Sequence, residues 1–232
     1  MKPKALIASF LLGLSLILFI LPAFAEPSLN GYTGLINIPD ANALGRGHYN
    51  VAFTFLDVSD SSENNIVANY GIGDNIEVGV GRIRAGDSDF WNGHCNDSSD
   101  NNDGTIINAK YQFAVEDARR PSLAVGVIDL TNELNTSVYF VATKSLTKCV
   151  RTYGGETIAP QIHLGLGGGA LESLFGGVTL PLGNKFTVLA EYDTNNINVG
   201  ARLAIGPRIR VYAATINDFD DLAVGASYNV GF

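Results

Sequence analysis

The sequence lacks the short motifs that mark most catalytic and cofactor-dependent proteins. It has no G-x-x-x-x-G-K-[ST] phosphate loop, no G-x-G-x-x-G fingerprint, no C-x-x-C pair and no G-x-S-x-G nucleophile motif. Basic residues are scarce as well, since 15 lysines and arginines stand against 23 aspartates and glutamates. Nucleic-acid binding needs a basic surface that displaces counterions from phosphates. The composition therefore excludes a nucleic-acid partner, and no cofactor is expected.

Long apolar runs are missing from the chain after residue 25. A helix that spans a membrane needs about 20 apolar residues, and no stretch there approaches that length. Helical periodicity is missing too, because apolar side chains recur at every second position. In lipid every backbone group must be bonded internally, so only a closed barrel could place this part of the chain in a membrane. Two classes remain: a membrane β-barrel and a soluble all-β domain.

The first 25 residues have a different composition and are predicted to be a cleaved signal peptide. Lys2 and Lys4 are their only charges, residues 5–21 are largely apolar, and Ala23-Phe24-Ala25 resembles a cleavage site. The alternative is an uncleaved membrane anchor. Of the charged residues in the chain, 13 basic and 23 acidic ones follow residue 25. We divide the chain into a signal peptide (1–25), an N-terminal periplasmic lead-in segment (26–46) and a barrel (47–232).

The region 47–232 alternates apolar and polar residues in short runs with turn signals between them. The last run is the clearest, with Leu222, Val224 and Ala226 on one face. This pattern predicts an all-β, antiparallel, up-and-down transmembrane barrel of about twelve strands. The predicted strands lie near residues 47–56, 64–71, 75–83, 105–113, 122–130, 137–144, 160–167, 174–181, 185–193, 195–204, 208–216 and 221–232.

Three features favour a barrel in the bacterial outer membrane over a soluble domain. Short turns near 71–75, 182–185 and 205–207 alternate with mostly longer polar connections. The strand count is even, which returns the C-terminus to the side of the N-terminus. The chain also ends in a strand with Tyr228, Val230 and Phe232 on one face, a C-terminal strand signal of such barrels.

The two cysteines fall in connections on opposite sides of the predicted barrel. Cys95 lies in the external connection 84–104 and Cys149 in the periplasmic connection 146–159. A disulfide needs Cα atoms within about 7 Å, so this pair is not expected to form one. Trp91 also lies in the external connection and does not mark a membrane boundary.

A set of charged and polar residues falls on the polar face of the predicted strands and should face the barrel lumen. Buried charges need partners, so these residues could pair across the lumen and help to fill a narrow barrel. They could instead form a charge-selective constriction, to which Arg208 and Arg210, two positions apart, would attract an anionic solute. The set consists of Glu77, Lys110, His163, Glu191, Arg202, Arg208 and Arg210.

Metal binding and catalysis are both weakly supported. The external connection is rich in oxygen ligands, but it lacks the D-x-[DN]-x-[DN]-G calcium pattern, and a solvated acidic loop is the simpler interpretation. No metal site is therefore predicted. A lipid hydrolase at the barrel rim would need His48 or His163 beside a serine, and no motif marks such a nucleophile. We expect that the chain is not an enzyme. The loop residues considered are Asp87, Asp89, His94, Cys95, Asp97, Asp100 and Asp103.

The segment Gly31-Tyr-Thr-Gly34-Leu35-Ile-Asn-Ile-Pro39-Asp40-Ala41 resembles the N-terminal signature of YjbH-like outer-membrane proteins. That signature runs G-x-x-G-L-x-x-x-P-[ST]-A. Gly31, Gly34, Leu35, Pro39 and Ala41 match it, whereas Asp40 stands where serine or threonine is usual. Short stretches at 137–144, 174–177, 190–193 and 198–200 are also similar to the barrel region of that family.

This resemblance implies an outer-membrane barrel linked to exopolysaccharide production or export, acting as a passive channel or structural component. The implied partners are outer-membrane lipid, the outer-membrane assembly machinery and polysaccharide-export proteins. The alternatives are a small general porin, a rim-active lipid hydrolase and a soluble periplasmic all-β domain.

From its residues alone, the segment 31–41 suits a fixed irregular lead-in to the first strand. Glycine permits positive φ, and proline fixes its own φ and removes a donor. The functional alternative is a short plug or docking element at the periplasmic mouth.

Overall fold

A computed structural model describes residues 25–58, 61–84, 103–146, 150–151, 157–183 and 185–231. The predicted signal peptide lies almost entirely outside these ranges, as do Trp91, both cysteines, Phe232 and all of the considered loop ligands except Asp103. In the described ranges, no helix is long and apolar enough to cross a membrane.

Strands account for most of the described chain. A 3-10 turn at Gly169–Leu171 is the one helical element in the part of the chain that the structure describes. The strands are β1 Tyr49–Val58, β2 Ser61–Gly71, β3 Ile76–Arg84, β4 Asp103–Ala114, β5 Ser122–Ile128, β6 Ser137–Ser145, β7 Val150–Arg151, β8 Thr157–Ile158, β9 Gln161–Gly168, β10 Leu174–Leu182, β11 Phe186–Tyr192, β12 Ile197–Ala204, β13 Ile209–Ile216 and β14 Asp221–Val230.

Twelve of these strands form a closed antiparallel barrel, and the predicted fold is confirmed. Each strand of the barrel pairs with the next one along the chain, except that β6 pairs with β9, because β7 and β8 form a separate two-stranded sheet with two residues in each strand. The barrel closes where β1 pairs with β14 in an unbroken register from Tyr49 opposite Val230 to Asp57 opposite Leu222. Closure leaves no strand of the barrel with an unpaired edge.

The alternation of the sequence becomes the inside and the outside of the barrel. Along β1, Ala52 and Thr54 are buried, whereas Val51 and Phe55 are exposed by 41% and 61%. The same alternation on the other strands gives an exterior of large apolar side chains, the reverse of what water favours. Exposed examples include Ile66, Val80, Ile107, Phe113, Val138, Leu164, Leu174, Phe186, Ile197, Leu203, Val224 and Tyr228.

The connections lie at two ends of the barrel. The "turn end" carries residues 45–48 and the described parts of the connections that follow β2, β4, β6, β10 and β12. The "loop end" carries, among the described connections, those that follow β5, β9, β11 and β13. Connection length separates the two ends less clearly than the sequence predicts, since the loop-end connection 193–196 is as short as 72–75.

Substitution of an outer-face residue by arginine tests whether that face meets lipid or water. Val80, near the middle of β3, is exposed by 46%. If this face meets lipid, Val80→Arg should lower the free energy of unfolding by about 2 to 4 kcal/mol, as expected near a bilayer midplane. Urea unfolding in lipid vesicles measures this change.

The matched control is Ile72→Arg. Ile72 lies in the connection after β2 and is exposed by 52%. Near a membrane surface the same substitution should cost about 0 to 1 kcal/mol. Equal and negligible costs at both positions would show that the outer face meets water.

Candidate functional site

Residues 25–44, here called the inner segment, lie inside the barrel. All of them except Glu26 are buried, although they form no regular strand or helix. The segment begins near Asn50 of β1 and ends beside Glu77 of β3, so both of its ends are at the turn end. The sequence predicts that residues 26–46 form a lead-in on the periplasmic side. In the structure most of that stretch occupies the lumen.

The middle of the inner segment folds back on itself in a tight loop. The amide of Leu35 donates to the carbonyl of Ile38 at 2.9 Å, and Gly34 bridges to Pro39. A Cβ atom on Gly34 would lie 2.1 Å from the carbonyl oxygen of Ile38, so only glycine fits there. Burial raises the pKa of the Tyr32 hydroxyl, which stays protonated and donates to the carbonyl of Asn37.

The carboxylate of Glu191 on β11 holds the tip of this loop. It accepts hydrogen bonds from the backbone amides of Ile36 at 2.9 Å, Asn37 at 2.6 Å and Ile38 at 3.3 Å. The side-chain amide of Asn198 on β12 donates to the same carboxylate at 3.0 Å. Three consecutive amides of a segment without a strand partner are thus bonded by one side chain.

A second cluster, around Glu77 and Lys110, holds the part of the inner segment near the turn end. Glu77 accepts from the backbone amides of Thr33 at 2.9 Å and Leu44 at 3.0 Å. The ammonium of Lys110 lies 3.3 Å from Asp40 and 3.8 Å from Glu77, and it donates to the carbonyl of Thr33 at 2.7 Å. These side chains are buried, so the charges are compensated where water is excluded.

Amide and guanidinium side chains satisfy the carbonyl groups of the inner segment. Asn108 on β4 donates to the carbonyls of Asn30 and Gly31, and Arg202 on β12 donates to that of Leu35 at 2.6 Å. Further contacts of this kind join Asn50 to Ala25, Asn65 to Leu29, and Arg202 to Pro27 and Gly34. The lumen wall therefore binds the backbone of the segment on several sides.

Apolar side chains of the inner segment complete the packing. Leu35, Ile36 and Ile38 belong to a buried cluster with apolar residues that point inward from the strands. Close approach also requires glycine in the wall. A Cβ atom on Gly79 of β3 would lie 2.0 Å from the carbonyl oxygen of Gly31. The interior is a packed core and not only a polar lining.

Six of the seven residues that were predicted to face the lumen lie inside the barrel, and His163 and Arg210 are two of them. His163 on β9 is buried, and its ring nitrogens lie 3.0 Å from the hydroxyls of Thr143 and Thr179. Arg210 on β13 forms an ion pair with Glu26 at 3.3 Å. Glu77, Lys110, Glu191 and Arg202 are the others, and all four bond directly to the inner segment.

The prediction that Arg208 faces the lumen is corrected by the structure, which places its side chain outside the barrel. It precedes β13, is exposed, and its Nη1 donates to the hydroxyl of the outward-facing Tyr228 at 3.1 Å. Alternation fails to predict its direction because Arg208 belongs to the turn and not to the strand. Arg208 and Arg210 therefore do not form a shared charged constriction.

The five residues that match the YjbH-like signature all lie in the inner segment. Gly31 adopts a positive φ of 76°, and the amide of Ala41 donates to the Thr143 hydroxyl at 2.9 Å. Of the predicted C-terminal signal, Tyr228 faces outward, Val230 is half-buried, and Phe232 lies outside the described residues.

Sequence reasoning missed the side-chain amides that bond the segment. Asn50, Asn65, Asn108 and Asn198 each occupy a polar-face position on a predicted strand, and this recurrence was the available signal. Among the described residues, no group of histidine, cysteine and acidic side chains could hold a metal ion.

Comparison with known proteins finds only weak structural likeness. No protein family and no curated protein matches the chain. The NanC porin is 11% identical, with a TM-score of 0.47 over 78% of this chain and 100% of that one. A mutant porin of Rh. blastica is 14% identical, with a TM-score of 0.36 over 90% and 68%. The attachment invasion locus protein Ail of Yersinia pestis is 10% identical, with a TM-score of 0.18 over 80% and 99%. Likeness this weak leaves the function to be argued from the residues of this chain.

Removing the buried ammonium tests whether the Glu77–Lys110 cluster holds the interior together. Lys110→Met would leave two buried carboxylates, Asp40 and Glu77, without their cation. Breaking a buried pair in this way should lower the free energy of unfolding by about 3 to 5 kcal/mol. The shift of the urea midpoint in detergent micelles measures the loss.

Lys185→Met is the matched control, because Lys185 is an exposed residue of the turn end. Its effect should stay within about 0.5 kcal/mol. If both variants unfold at the same urea concentration as the parent, the cluster does not stabilise the interior.

Proposed function

We propose that this chain is a porin-like barrel of the bacterial outer membrane, a passive conduit that its own inner segment closes. The observation that carries the proposal is the pairing of an apolar exterior with a lumen occupied by residues 25–44. A soluble barrel would bury its apolar faces and expose its polar ones. A membrane barrel does the reverse.

Aromatic side chains support the membrane setting. Tyr49, Tyr70 and Tyr111 are exposed near the turn end, and Phe55 and Tyr192 are exposed near the loop end. Outer-membrane barrels carry aromatic girdles at both membrane surfaces, where amphipathic rings meet headgroups. The soluble periplasmic alternative leaves these exposed rings without an explanation.

A passive role fits the interior better than catalysis does. His163, a residue that the hydrolase alternative could use as a base, is 1% exposed and lies between two threonine hydroxyls inside the barrel. A hydrolase at the rim needs its base within hydrogen-bond reach of a substrate. We therefore favour a small porin-type barrel, in a closed state, over the hydrolase.

The link to exopolysaccharide export stays a prediction from the YjbH-like resemblance. The matching motif lies in the inner segment, where packing and hydrogen bonds give its residues a structural reason to be present. Partnership with polysaccharide-export proteins and with the assembly machinery likewise stays a prediction. Surface polysaccharide measured in a deletion strain tests the link.

Fractionation and gel mobility test the membrane assignment. The expressed protein should sediment with the outer membrane, and its band should shift on heating, because closed membrane barrels resist detergent until they are boiled. A protein recovered in the periplasm without detergent, and with no mobility shift, would overturn the assignment.

Conductance in planar bilayers tests the closed conduit. The full chain should conduct weakly, whereas deletion of residues 27–44 should raise the conductance several-fold, because these residues fill the lumen. Gly79→Val provides a second test that keeps the segment. Its side chain would enter the space of the Gly31 carbonyl, so it should increase the frequency of opening.

Gly168→Ala is the control, since a Cβ atom there meets nothing closer than Val138 at 4.0 Å. It should conduct like the parent chain. If the deletion variant and Gly79→Val both insert and remain as closed as the parent, the conduit proposal is wrong and a structural role is favoured.

A further inference from the structure

The contacts of Arg208 differ from those of several other basic residues of the barrel. Lys110 and Arg202 bond to the inner segment, and Arg46 and Arg120 approach carboxylates. In the described part of the chain Arg208 has no ion pair, and its side chain contacts the hydroxyl of Tyr228 on the outside of the barrel. The closed conduit makes no use of this residue.

The surroundings of Arg208 are a row of exposed tyrosines. Tyr70 on β2 pairs directly with Tyr49 on β1, and Tyr228 on the neighbouring β14 lies opposite Val51, two residues from Tyr49. These tyrosines are exposed by 47%, 38% and 41%. The row thus crosses three adjacent strands at the turn end and finishes at Arg208.

The backbone and side chain of Arg208 are both held in place. The amide of Asn229 donates to its carbonyl at 2.8 Å, and Nη1 donates to Tyr228 at 3.1 Å. Arginine keeps its positive charge at physiological pH, so Arg208 presents a permanent cation at this surface. A guanidinium fixed at one nitrogen has lost part of the freedom that it would lose on binding a ligand.

The two ends of the barrel differ in the sign of their charged residues. The described residues at or near the loop end are mainly acidic, and basic residues exceed acidic ones at the turn end. The acidic residues near the loop end include Asp57, Asp103, Asp129, Glu133, Glu172, Asp193, Asp218, Asp220 and Asp221. The basic residues near the turn end include Arg46, Arg119, Arg120, Lys144, Lys185 and Arg208. Three of them form ion pairs at that end: Arg46 with Asp74, Arg120 with Asp117, and Lys144 with Glu116. An anionic partner is therefore attracted to the turn end and repelled from the loop end.

We propose that Arg208 and the tyrosine row form a binding site for the phosphate headgroup of an anionic phospholipid in the leaflet that surrounds the turn end. The site rests on the proposed membrane barrel. The guanidinium would bind the phosphate, since its planar set of donors matches phosphate oxygens. The rings of Tyr49 and Tyr228 would pack against the glycerol and upper acyl chain, where amphipathic rings prefer to lie.

Native mass spectrometry of the detergent-solubilised barrel tests the site. Phosphatidylglycerol and phosphatidylcholine of equal chain length are titrated separately, and the ratio of their apparent affinities is measured. The parent chain should prefer phosphatidylglycerol, and Arg208→Gln should reduce the preference about fivefold, the effect expected of one basic residue near an anionic lipid. Tyr228→Phe, which keeps the charge but loses the orienting hydroxyl, should give an intermediate ratio.

Arg119→Gln is the matched control, because Arg119 is an exposed arginine in another turn-end connection. It should change the ratio by less than about twofold, because Arg119 lies in the connection after β4 and not beside the tyrosine row of β2, β1 and β14. Added inorganic phosphate separates the lipid from the free anion. Bound lipid should resist phosphate, and complete competition would show that the site recognises phosphate alone and would overturn the lipid assignment.

An unchanged ratio in Arg208→Gln would also overturn the proposal, as would equal affinity of the parent for both lipids. Failure of this site can be told from failure of the membrane barrel. In the first case the protein still fractionates with the outer membrane and shifts on heating. In the second it does neither.

Discussion

The structure depends on one constraint: a buried backbone that has no strand partner must find its hydrogen bonds elsewhere. Unpaired backbone groups are costly away from water. The inner segment meets this requirement through side chains of the barrel wall, above all Glu191, which bonds three consecutive amides, and Glu77, which bonds two. Without these carboxylates the segment could not remain buried in its observed path.

That constraint explains why the inner face of the barrel is mixed in character. A water-filled lumen would suit a uniformly polar face. Here apolar residues such as Val67, Ile106 and Leu189 point inward beside asparagines and charges, and they pack in one cluster with the segment. Polar wall residues lie where the segment presents amides, carbonyls and polar side chains such as Asp40, and apolar ones lie where it presents apolar side chains. The wall is complementary to a peptide.

The strands were predictable because their signal is local. Alternation along β1 or β14 depends only on neighbouring residues, and closure of the barrel follows from twelve such strands in antiparallel order. The predicted orientation of the Arg208 side chain was wrong, because its spacing of two residues from Arg210 suggested that both side chains face the lumen. The extended backbone that the rule assumes begins one residue later, at Ile209.

By itself the sequence determined the fold class, the approximate strand bounds and the membership of Glu77, Lys110 and Glu191 in the polar face. Only the tertiary structure decided what those residues bind. Asn37 and Glu191 are 154 positions apart, and the backbone amide of Asn37 donates to the Glu191 carboxylate at 2.6 Å. No local sequence pattern relates one of these residues to the other. Strand periodicity is a property of adjacent residues, whereas the path of an irregular segment depends on contacts with the whole closed wall, which exist only after the barrel has formed.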